Sequence, residues 1–143
     1  ECNGESPGNY KAQSAPDASA NHWPVGASPS DPFHPTFDVS LYGTHLTTNS
    51  DSASTSKTLL EVLSLKGNED DQQLAFHIIG AYLNALQPVG SPYAIPSQVL
   101  MPQDVIDMWN EYANYGQYLP FAGATPWGAG DIVSYLVSNG IAP

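Results

Sequence analysis

The residues of this sequence that could carry chemistry are its four histidines, its acidic residues and a group of aromatic residues near the C-terminus. The histidines, His22, His34, His45 and His77, form neither an H-x-x-x-H pair nor an H-E-x-x-H motif, so their spacing predicts no helical metal site. His34 and Asp38 could share a metal ion, but polar loop residues are the simpler interpretation. His77 lies beside the apolar stripe of a predicted helix, where we expect a partly buried histidine hydrogen-bonded to the N-terminal part of the chain.

Two groups of acidic residues could bind a cation or act in catalysis. Residues 68–71 (Asn-Glu-Asp-Asp) lack the D-x-[DN]-x-[DN]-G order of an EF-hand loop, and the dipole of the helix that follows explains acids there. Asp104, Asp107 and Glu111 fall at i, i+3 and i+7 of a predicted helix, which is typical of a solvated face. A glycosidase would need two carboxyls about 5–10 Å apart across a sugar cleft, and the sequence indicates no cleft.

No motif of a known reaction is present. The sequence contains no G-x-S-x-G turn, P-loop or glycine-rich dinucleotide turn. Its single cysteine excludes both a C-x-x-C-H haem attachment and an internal disulfide. The sequence therefore predicts a protein that is not an enzyme and that has no catalytic residue, metal or cofactor.

The aromatic residues form the most informative pattern. Four of them lie in or beside a loop rich in Gly and Pro and are expected to be exposed: Tyr115, Tyr118, Phe121 and Trp127. Exposed aromatic side chains in a chain with only 12% charged residues are typical of a contact surface. The partner could be a second copy of the chain or a sugar, because Tyr and Trp faces beside Asn or Asp side chains suit carbohydrate binding.

The charge of the chain excludes several classes of partner. Three Lys+Arg stand against 14 Asp+Glu, for a net charge of −11 and a pI of about 4.2. Binding to nucleic acid or to an anionic membrane surface depends on Lys and Arg side chains. No apolar run approaches the roughly 18–20 residues of a membrane span. We therefore expect no nucleic-acid partner and no membrane insertion.

The two parts of the chain differ in composition. Residues 1–56 contain six Leu, Ile, Val or Phe residues, whereas residues 57–143 contain 24. The first part, here called the N-terminal arm, is too poor in apolar residues to form its own core. We expect a long, irregular, Pro- and Ser-rich segment that packs onto a folded body, with one short strand at residues 37–42. The residues predicted to anchor it at an interface are Cys2, Tyr10, Trp23, Phe33 and Phe37.

Residues 57–143 are predicted to form a helical body, so that the chain is one domain overall and mainly α. Four short helices are expected, each bounded by residues that start or stop helices. The first spans residues 57–65 after an N-cap at Ser56, and the second begins at Asn68 and ends before Pro88. The third begins at Pro102 and ends at Gly116, and the fourth spans residues 129–138.

Residues 57–87 resemble a helix pair from a family of secreted bacterial domains. That pair reads approximately TLLDVLS, a glycine-containing turn, an A-x-x-H helix and an L-L-N-A-type segment. The matching residues here are 58–64, Gly67, His77 and 83–85. The family also has an upstream cysteine, a P-G-Y-W-K-x-H stretch and a W-P pair, and a downstream D/E-V-I segment. The corresponding residues here are Cys2, 6–11, Trp23-Pro24 and Val105-Ile106.

The match to the upstream motif is incomplete. Asn9-Tyr10 stands where the family has Tyr-Trp, and no histidine follows Lys11. The resemblance implies a secreted or surface-displayed protein, and it implies no particular activity.

Together these observations predict an extracellular or cell-surface location. The chain begins at Glu1 without a methionine, which we interpret as a mature product whose leader was removed. The preferred hypothesis is a secreted bacterial structural subunit that self-associates through its arm, as a homo-oligomer or homopolymer, into an extracellular filament or surface array. Cys2 could add a covalent link between subunits or remain a free thiol. The alternative is a surface-displayed carbohydrate- or ligand-binding module with a polysaccharide partner.

Overall fold

The computed structural model describes residues 2–13, 21–39, 57–65 and 69–143, and over these ranges the protein is mainly α, as predicted. The described residues contain five α-helices. They are α1 (Pro7–Gln13), α2 (Leu59–Leu63), α3 (Leu74–Leu86), α4 (Pro102–Tyr115) and α5 (Ala129–Ser138). These ranges contain no sheet, and their only strand-like pairings are two isolated bridges, Pro32 with Thr58 and Tyr118 with Trp127.

Helix α2 begins two residues later than the sequence suggested. Thr58 is its N-cap, because the Thr58 hydroxyl accepts from the Glu61 backbone N–H at 3.2 Å while the Glu61 carboxylate accepts from the Thr58 N–H at 2.9 Å. This reciprocal pair is a capping box, which satisfies two donors at the helix start. The predicted cap Ser56 and the predicted stop Gly67 lie outside the described residues. The buried face of α2 is formed by Leu59, Val62 and Leu63.

Helix α3 is the centre of the fold and contacts each of the other four helices. Its start is set by Asp70, whose carboxylate accepts from the backbone N–H groups of Ala75 and Phe76 at 2.9 and 3.0 Å. Burial raises the pKa of this carboxyl, and the two backbone hydrogen bonds oppose that shift. Gln72 and Gln73 have left-handed backbone angles, so α3 begins only at Leu74. The predicted first residue, Asn68, lies outside the described residues.

The bounds of α4 and α5 agree with the sequence prediction. Pro102 stands at the first position of α4, and Gly116 ends it with a φ of 75°, a left-handed angle that favours glycine. Each helix has an acid near its start that accepts from the N-cap backbone N–H. In α4 Asp104 accepts from Met101 at 2.8 Å, and in α5 Asp131 accepts from Gly128 at 3.0 Å.

The arm contains a helix, α1, that the sequence analysis did not predict. Pro7 stands at its first position, and the Ser6 hydroxyl accepts from the Asn9 backbone N–H at 3.2 Å. A Ser-Pro pair at this point is a recognised helix-start signal, but a helix of seven residues depends on packing for its stability. Pro7 supplies that packing against Gly80 of α3, where a Cβ would lie 2.6 Å from the proline ring.

The second described part of the arm inserts two phenylalanines into the core. Phe33 and Phe37 stack with ring centroids 4.7 Å apart, and the Phe37 N–H donates to the Phe33 carbonyl at 2.8 Å. Phe33 meets Trp109 of α4 edge to face at 5.4 Å, and Phe37 meets Tyr82 of α3 at 5.2 Å. Residues 37–39 do not form the predicted strand. The other residues of that predicted strand, 40–42, lie outside the described residues.

Candidate functional site

The arm residues predicted to form an interface pack against the chain's own helices. Tyr10, Phe33 and Phe37 are each fully buried. Trp23 is half-buried, meets Tyr10 edge to face at 5.8 Å, and donates from Nε1 to the Tyr10 carbonyl at 3.0 Å. Cys2 is a half-buried free thiol, and its backbone N–H donates to the Asn139 carbonyl at 2.9 Å. In this structure the aromatic anchors of the arm are occupied within one chain.

The arm is joined to α3 and to the C-terminus through one fully buried side chain, Asn84. Its Oδ1 accepts from the Glu5 backbone N–H at 3.1 Å and from Tyr10 Oη at 2.7 Å. Its Nδ2 donates to the Glu5 carbonyl at 2.9 Å and to the Ile141 carbonyl at 2.8 Å. Both lone pairs and both N–H groups of the amide are used, which is the full capacity of an asparagine side chain.

A second polar contact holds the arm to itself. The Glu5 side chain is only 6% exposed, and its carboxylate accepts from Asn9 Nδ2 at 2.7 Å and contacts His22 Nδ1. The His22 ring also stacks on Tyr93 with centroids 4.7 Å apart. A buried carboxylate requires such partners, because an unpaired charge in the interior is costly.

The aromatic residues near the C-terminus divide into two groups. Tyr118 and Trp127 form an antiparallel bridge, with N–H to carbonyl distances of 2.9 and 2.7 Å, which closes the loop between α4 and α5. The Trp127 ring lies between Tyr118, at 6.0 Å, and Tyr135 of α5, at 5.4 Å. Tyr115 and Phe121 are 74% and 69% exposed and do not line the same site. Sequence reasoning therefore identified two members of the aromatic cluster, and the third, Tyr135 of α5, was not among the predicted contact residues.

These rings line a groove of about 340 Å³ between α4, the loop and α5, which we call the aromatic groove. Its main lining residues are Asp104, Asp107, Met108, Tyr118, Trp127 and Tyr135. Asp104 and Asp107 lie one helical turn apart on α4, so both carboxylates belong to the same wall. The sequence indicated only a solvated face for these acids, because it could not show that the loop returns over them.

The phenol groups of the groove remain protonated well above neutral pH. Burial raises the pKa of Tyr118, and the nearby carboxylates Glu111 and Asp104 raise it further. Burial also raises the pKa of Tyr135, with further contributions from Cys2 and Asp104. At neutral pH the groove thus presents phenolic O–H groups beside carboxylate acceptors, a combination that can donate and accept hydrogen bonds.

Two other cavities lack this combination. The larger, about 480 Å³, lies between the end of α3 and the start of α4, and no aromatic or ionisable side chain lines it. The other, about 440 Å³, includes His22, Trp23 and Tyr93. There the Trp23 N–H and one face of the His22 ring are already used by the contacts given above.

The candidate metal ligands do not come together in the part of the chain that the structure describes. Among the described residues there is no group of three or more His, Cys, Asp or Glu side chains arranged to hold a metal ion. Asp38 accepts from Asn114 Nδ2 at 2.9 Å, and His45 lies outside the described residues. His77 is half-buried as expected, and its Nδ1 donates to the Ala142 carbonyl at 3.0 Å, near the C-terminal end of the described chain. Burial lowers the pKa of His77.

The fold and site define a small, mainly α protein with an aromatic groove walled on one side by two carboxylates. Within the ranges described, no helix is both long enough and apolar enough to cross a membrane. No protein-family model matches the chain, and no curated protein or solved structure is significantly similar to it. The resemblance to secreted bacterial domains therefore stays a prediction from the sequence.

Proposed function

We propose that the protein is a non-enzymatic carbohydrate-binding module, secreted or displayed at a cell surface, whose ligand lies in the aromatic groove. The observation that carries the proposal is the placement of the Trp127 ring between Tyr118 and Tyr135, beside the carboxylates of Asp104 and Asp107. A pyranose has an apolar C–H face that packs on an aromatic ring and hydroxyl groups that donate to carboxylates. In the described part of the arm, Tyr10, Phe33 and Phe37 are buried and present no free ring to a ligand.

The size of the groove fits a short stretch of a sugar chain. Its volume of about 340 Å³ lies at the lower end of the range for ligand pockets, roughly 300–1,000 Å³. A polysaccharide would therefore occupy the groove with one segment and continue past it on either side. The exposed rings of Tyr115 and Phe121 lie outside this volume and are not part of the proposed site.

The arrangement of the carboxylates favours binding over hydrolysis. Glycosidases place two carboxyl groups on opposite sides of the bond to be cleaved. Asp104 and Asp107 instead project from the same helix, one turn apart. Because no second wall supplies a carboxylate to the groove among the described residues, we propose no catalytic residue.

Binding to polysaccharides tests the proposal directly. The protein is incubated with insoluble polysaccharides of different composition, and binding to soluble oligosaccharides is measured by calorimetry. We expect Trp127→Ala to lose about two- to tenfold in affinity, because stacking on an aromatic ring contributes about 0.5–1.5 kcal/mol to a contact. Phe121→Ala is the matched control and should bind as the parent does, since Phe121 is exposed outside the groove.

Circular dichroism and thermal unfolding of each variant separate loss of the site from loss of the fold. Should Trp127→Ala fail to fold, Trp127→Phe keeps a ring at that position and is expected to weaken binding less. A folded parent protein that binds no polysaccharide would rule the proposal out.

A second proposal, self-association into an extracellular filament or surface array, is favoured by the way the arm completes the core. Tyr10, Phe33 and Phe37 are fully buried against α3 and α4 and their surroundings, although they precede the helical body in sequence. The same contacts would form if the arm of one copy filled the body of another. The 17 residues 40–56 span at most about 55 Å, which limits the distance between residue 39 of the arm and residue 57 of its own body.

Exchange of arms between copies, here called arm exchange, makes the assembly state depend on protein concentration and on whether the protein has been unfolded and refolded. Light scattering after size-exclusion chromatography, with negative-stain microscopy, should show dimers or larger assemblies once the protein has been unfolded and refolded at high concentration. A single 15.2 kDa species under all these conditions would exclude arm exchange. A non-reducing gel shows in the same samples whether Cys2 links two chains.

A further inference from the structure

We infer that the sugar recognised by the aromatic groove carries a positive charge, as an amino sugar with a free amine does. This inference rests on the proposed carbohydrate-binding function and adds the chemical class of its ligand. It is argued from the charges that line the groove and from the absence of anything in the described chain to neutralise them.

The two carboxylates of the groove are only partly used by the protein. Asp104 Oδ2 accepts from the Met101 N–H, and Asp107 Oδ1 accepts from Gln103 Nε2, both at 2.8 Å. Among the described residues, the second oxygen of each carboxylate has no hydrogen-bond partner, and neither group forms an ion pair with a basic side chain. Each side chain can therefore accept a hydrogen bond from an ammonium group while it keeps its structural contact.

In the described part of the chain, no basic side chain lines the groove to balance the negative charge of the two carboxylates. The chain has no arginine and three lysines, and the net charge is −11. The lysines within the described ranges, Lys11 and Lys57, are not among the residues that line the groove, and Lys66 lies outside those ranges. Both carboxylates are exposed to solvent, and a cleft lined by one sign of charge attracts ligands of the opposite sign.

The rings of the groove favour the same ligand. A cation within about 6 Å of a Trp or Tyr ring centroid is attracted by the negative ring face. Trp127 and its two tyrosine neighbours line the same groove as the two carboxylates. An amino sugar can place its C–H face on a ring and its ammonium group between the ring and the carboxylates.

A metal ion explains the carboxylates less well. Calcium takes six to eight oxygen ligands, whereas the described part of the chain places only two acidic side chains on the groove wall. An ammonium group needs far fewer acceptors than calcium, and Asp104 and Asp107 each keep one free oxygen to accept from it.

The test compares two oligosaccharides with the same sugar backbone, one with free amines that carry positive charge and one in which each amine is acetylated and neutral. Calorimetry measures the affinity for the β-1,4-linked tetramer of glucosamine and for the matching tetramer of N-acetylglucosamine, in low salt and in about 0.3 M NaCl. We expect about tenfold tighter binding of the glucosamine tetramer, a preference of the size that two partly exposed ion pairs provide, and we expect salt to reduce it.

Substitutions in the groove test whether the preference for the glucosamine tetramer arises there. Asp104→Asn together with Asp107→Asn should remove it and leave residual binding to both sugars, since asparagine keeps the acceptor that the helix start requires. Asp71→Asn is the matched control, because Asp71 is exposed in the turn before α3 and away from the groove.

The outcomes separate this inference from the proposed function. Equal affinity for the two tetramers overturns the inference and leaves the carbohydrate-binding proposal standing. Binding to neither tetramer nor any other sugar by folded protein overturns both, as does binding only to a lysine-rich peptide. A preference that survives the double variant also overturns the inference, because the positive charge would then be recognised elsewhere.

Discussion

Tyr10 in the arm donates its phenolic O–H to Asn84 Oδ1 of α3 at 2.7 Å, in a position where both side chains are fully buried. The two residues are 74 positions apart in sequence. The same amide binds the backbone of Glu5 and of Ile141, so it connects both ends of the described chain to the central helix. The docking of the arm therefore depends on one polar side chain as well as on aromatic packing.

Asn84→Ala is expected to lower the free energy of unfolding by about 3–5 kcal/mol. The substitution leaves buried donors and acceptors without partners, each at a cost of about 1–3 kcal/mol before relaxation. Urea unfolding followed by circular dichroism measures the change. Asn114→Ala is the control, since Asn114 is exposed at the end of α4 and should shift stability by about 0.5 kcal/mol or less. Similar stability for the two variants would contradict the central role of Asn84.

Two glycines at the contact between the chain ends should not accept alanine. A Cβ on Gly140 would lie 2.1 Å from the Cys2 carbonyl oxygen, and Gly140 has a left-handed φ of +67°. A Cβ on Gly4 would lie 2.4 Å from the Ile141 carbonyl oxygen. We expect each Gly→Ala change to cost about 3 kcal/mol or more, because backbone atoms cannot move aside cheaply.

The control for these two glycines is a third glycine, whose replacement by alanine should raise stability instead of lowering it. Gly130 lies in the first turn of α5 with open space around it, so Gly130→Ala should stabilise the protein by about 0.5–1 kcal/mol through helix propensity. Thermal unfolding of the alanine variants at Gly140, Gly4 and Gly130 ranks them by stability. An alanine at position 140 that leaves the melting temperature unchanged would show that the two ends do not meet in solution.

The contact between Glu5 and His22 is suited to a double-mutant cycle. His22→Ala leaves the Glu5 carboxylate, 6% exposed, with Asn9 as its remaining side-chain partner. Glu5→Gln removes the charge and keeps the shape. We expect the double variant to lose about 1–2 kcal/mol less than the sum of the single changes, which is the range of direct coupling. Additive effects in urea unfolding would mean that the two groups do not interact.

We expect the buried phenol of Tyr10 to make the protein less stable at alkaline pH. Burial raises its pKa from the ordinary value of 10.0 to about 12, and the hydrogen bond from Gln87 opposes that shift. Because the folded pKa is the higher one, the stabilising contribution is complete below about pH 10 and is lost as the pH rises through about 12. A pKa shift of this size corresponds to a loss of at most about 3 kcal/mol in the free energy of unfolding.

The pH effect is measured by urea unfolding at several values between pH 8 and 11. Tyr10→Phe should be about 1 kcal/mol less stable at pH 8, and its stability should fall less steeply above pH 10. Some slope remains, since burial also raises the pKa of Tyr82, Tyr118 and Tyr135. Parallel curves for the parent and the variant would show that Tyr10 is not the group responsible.

The elements that the sequence located correctly are those with local signals. For α4, Pro102 and Gly116 mark the two ends, and for α5 the spacing of Ile132 and Leu136 marks the buried face. The starts of α2 and α3 were placed less well. In α3 the acid that caps the helix is Asp70, and two glutamines with left-handed backbone angles separate it from the first helical residue.

The candidate site was only half visible in the sequence. Tyr118 and Trp127 were predicted, together with Tyr115 and Phe121, to be exposed members of a contact surface, whereas the structure leaves Tyr118 and Trp127 half-buried. Asp104 and Tyr135 lie on two different helices, and only the bridge that closes the loop brings them to the same groove. Their proximity depends on the packing of α4 and α5 around the core, which no local pattern encodes.

By itself the sequence determined that the chain is acidic, that its second part is helical, and which arm residues are apolar enough to be anchors. Helix periodicity, caps and composition act over a few residues, so they can be recognised without the fold. The tertiary structure decided that Tyr10, Phe33 and Phe37 pack within one chain, that Asn84 joins the two ends, and that an aromatic groove forms beside two carboxylates. These features depend on residues tens of positions apart, whose meeting is set by how the apolar faces of five helices bury one another.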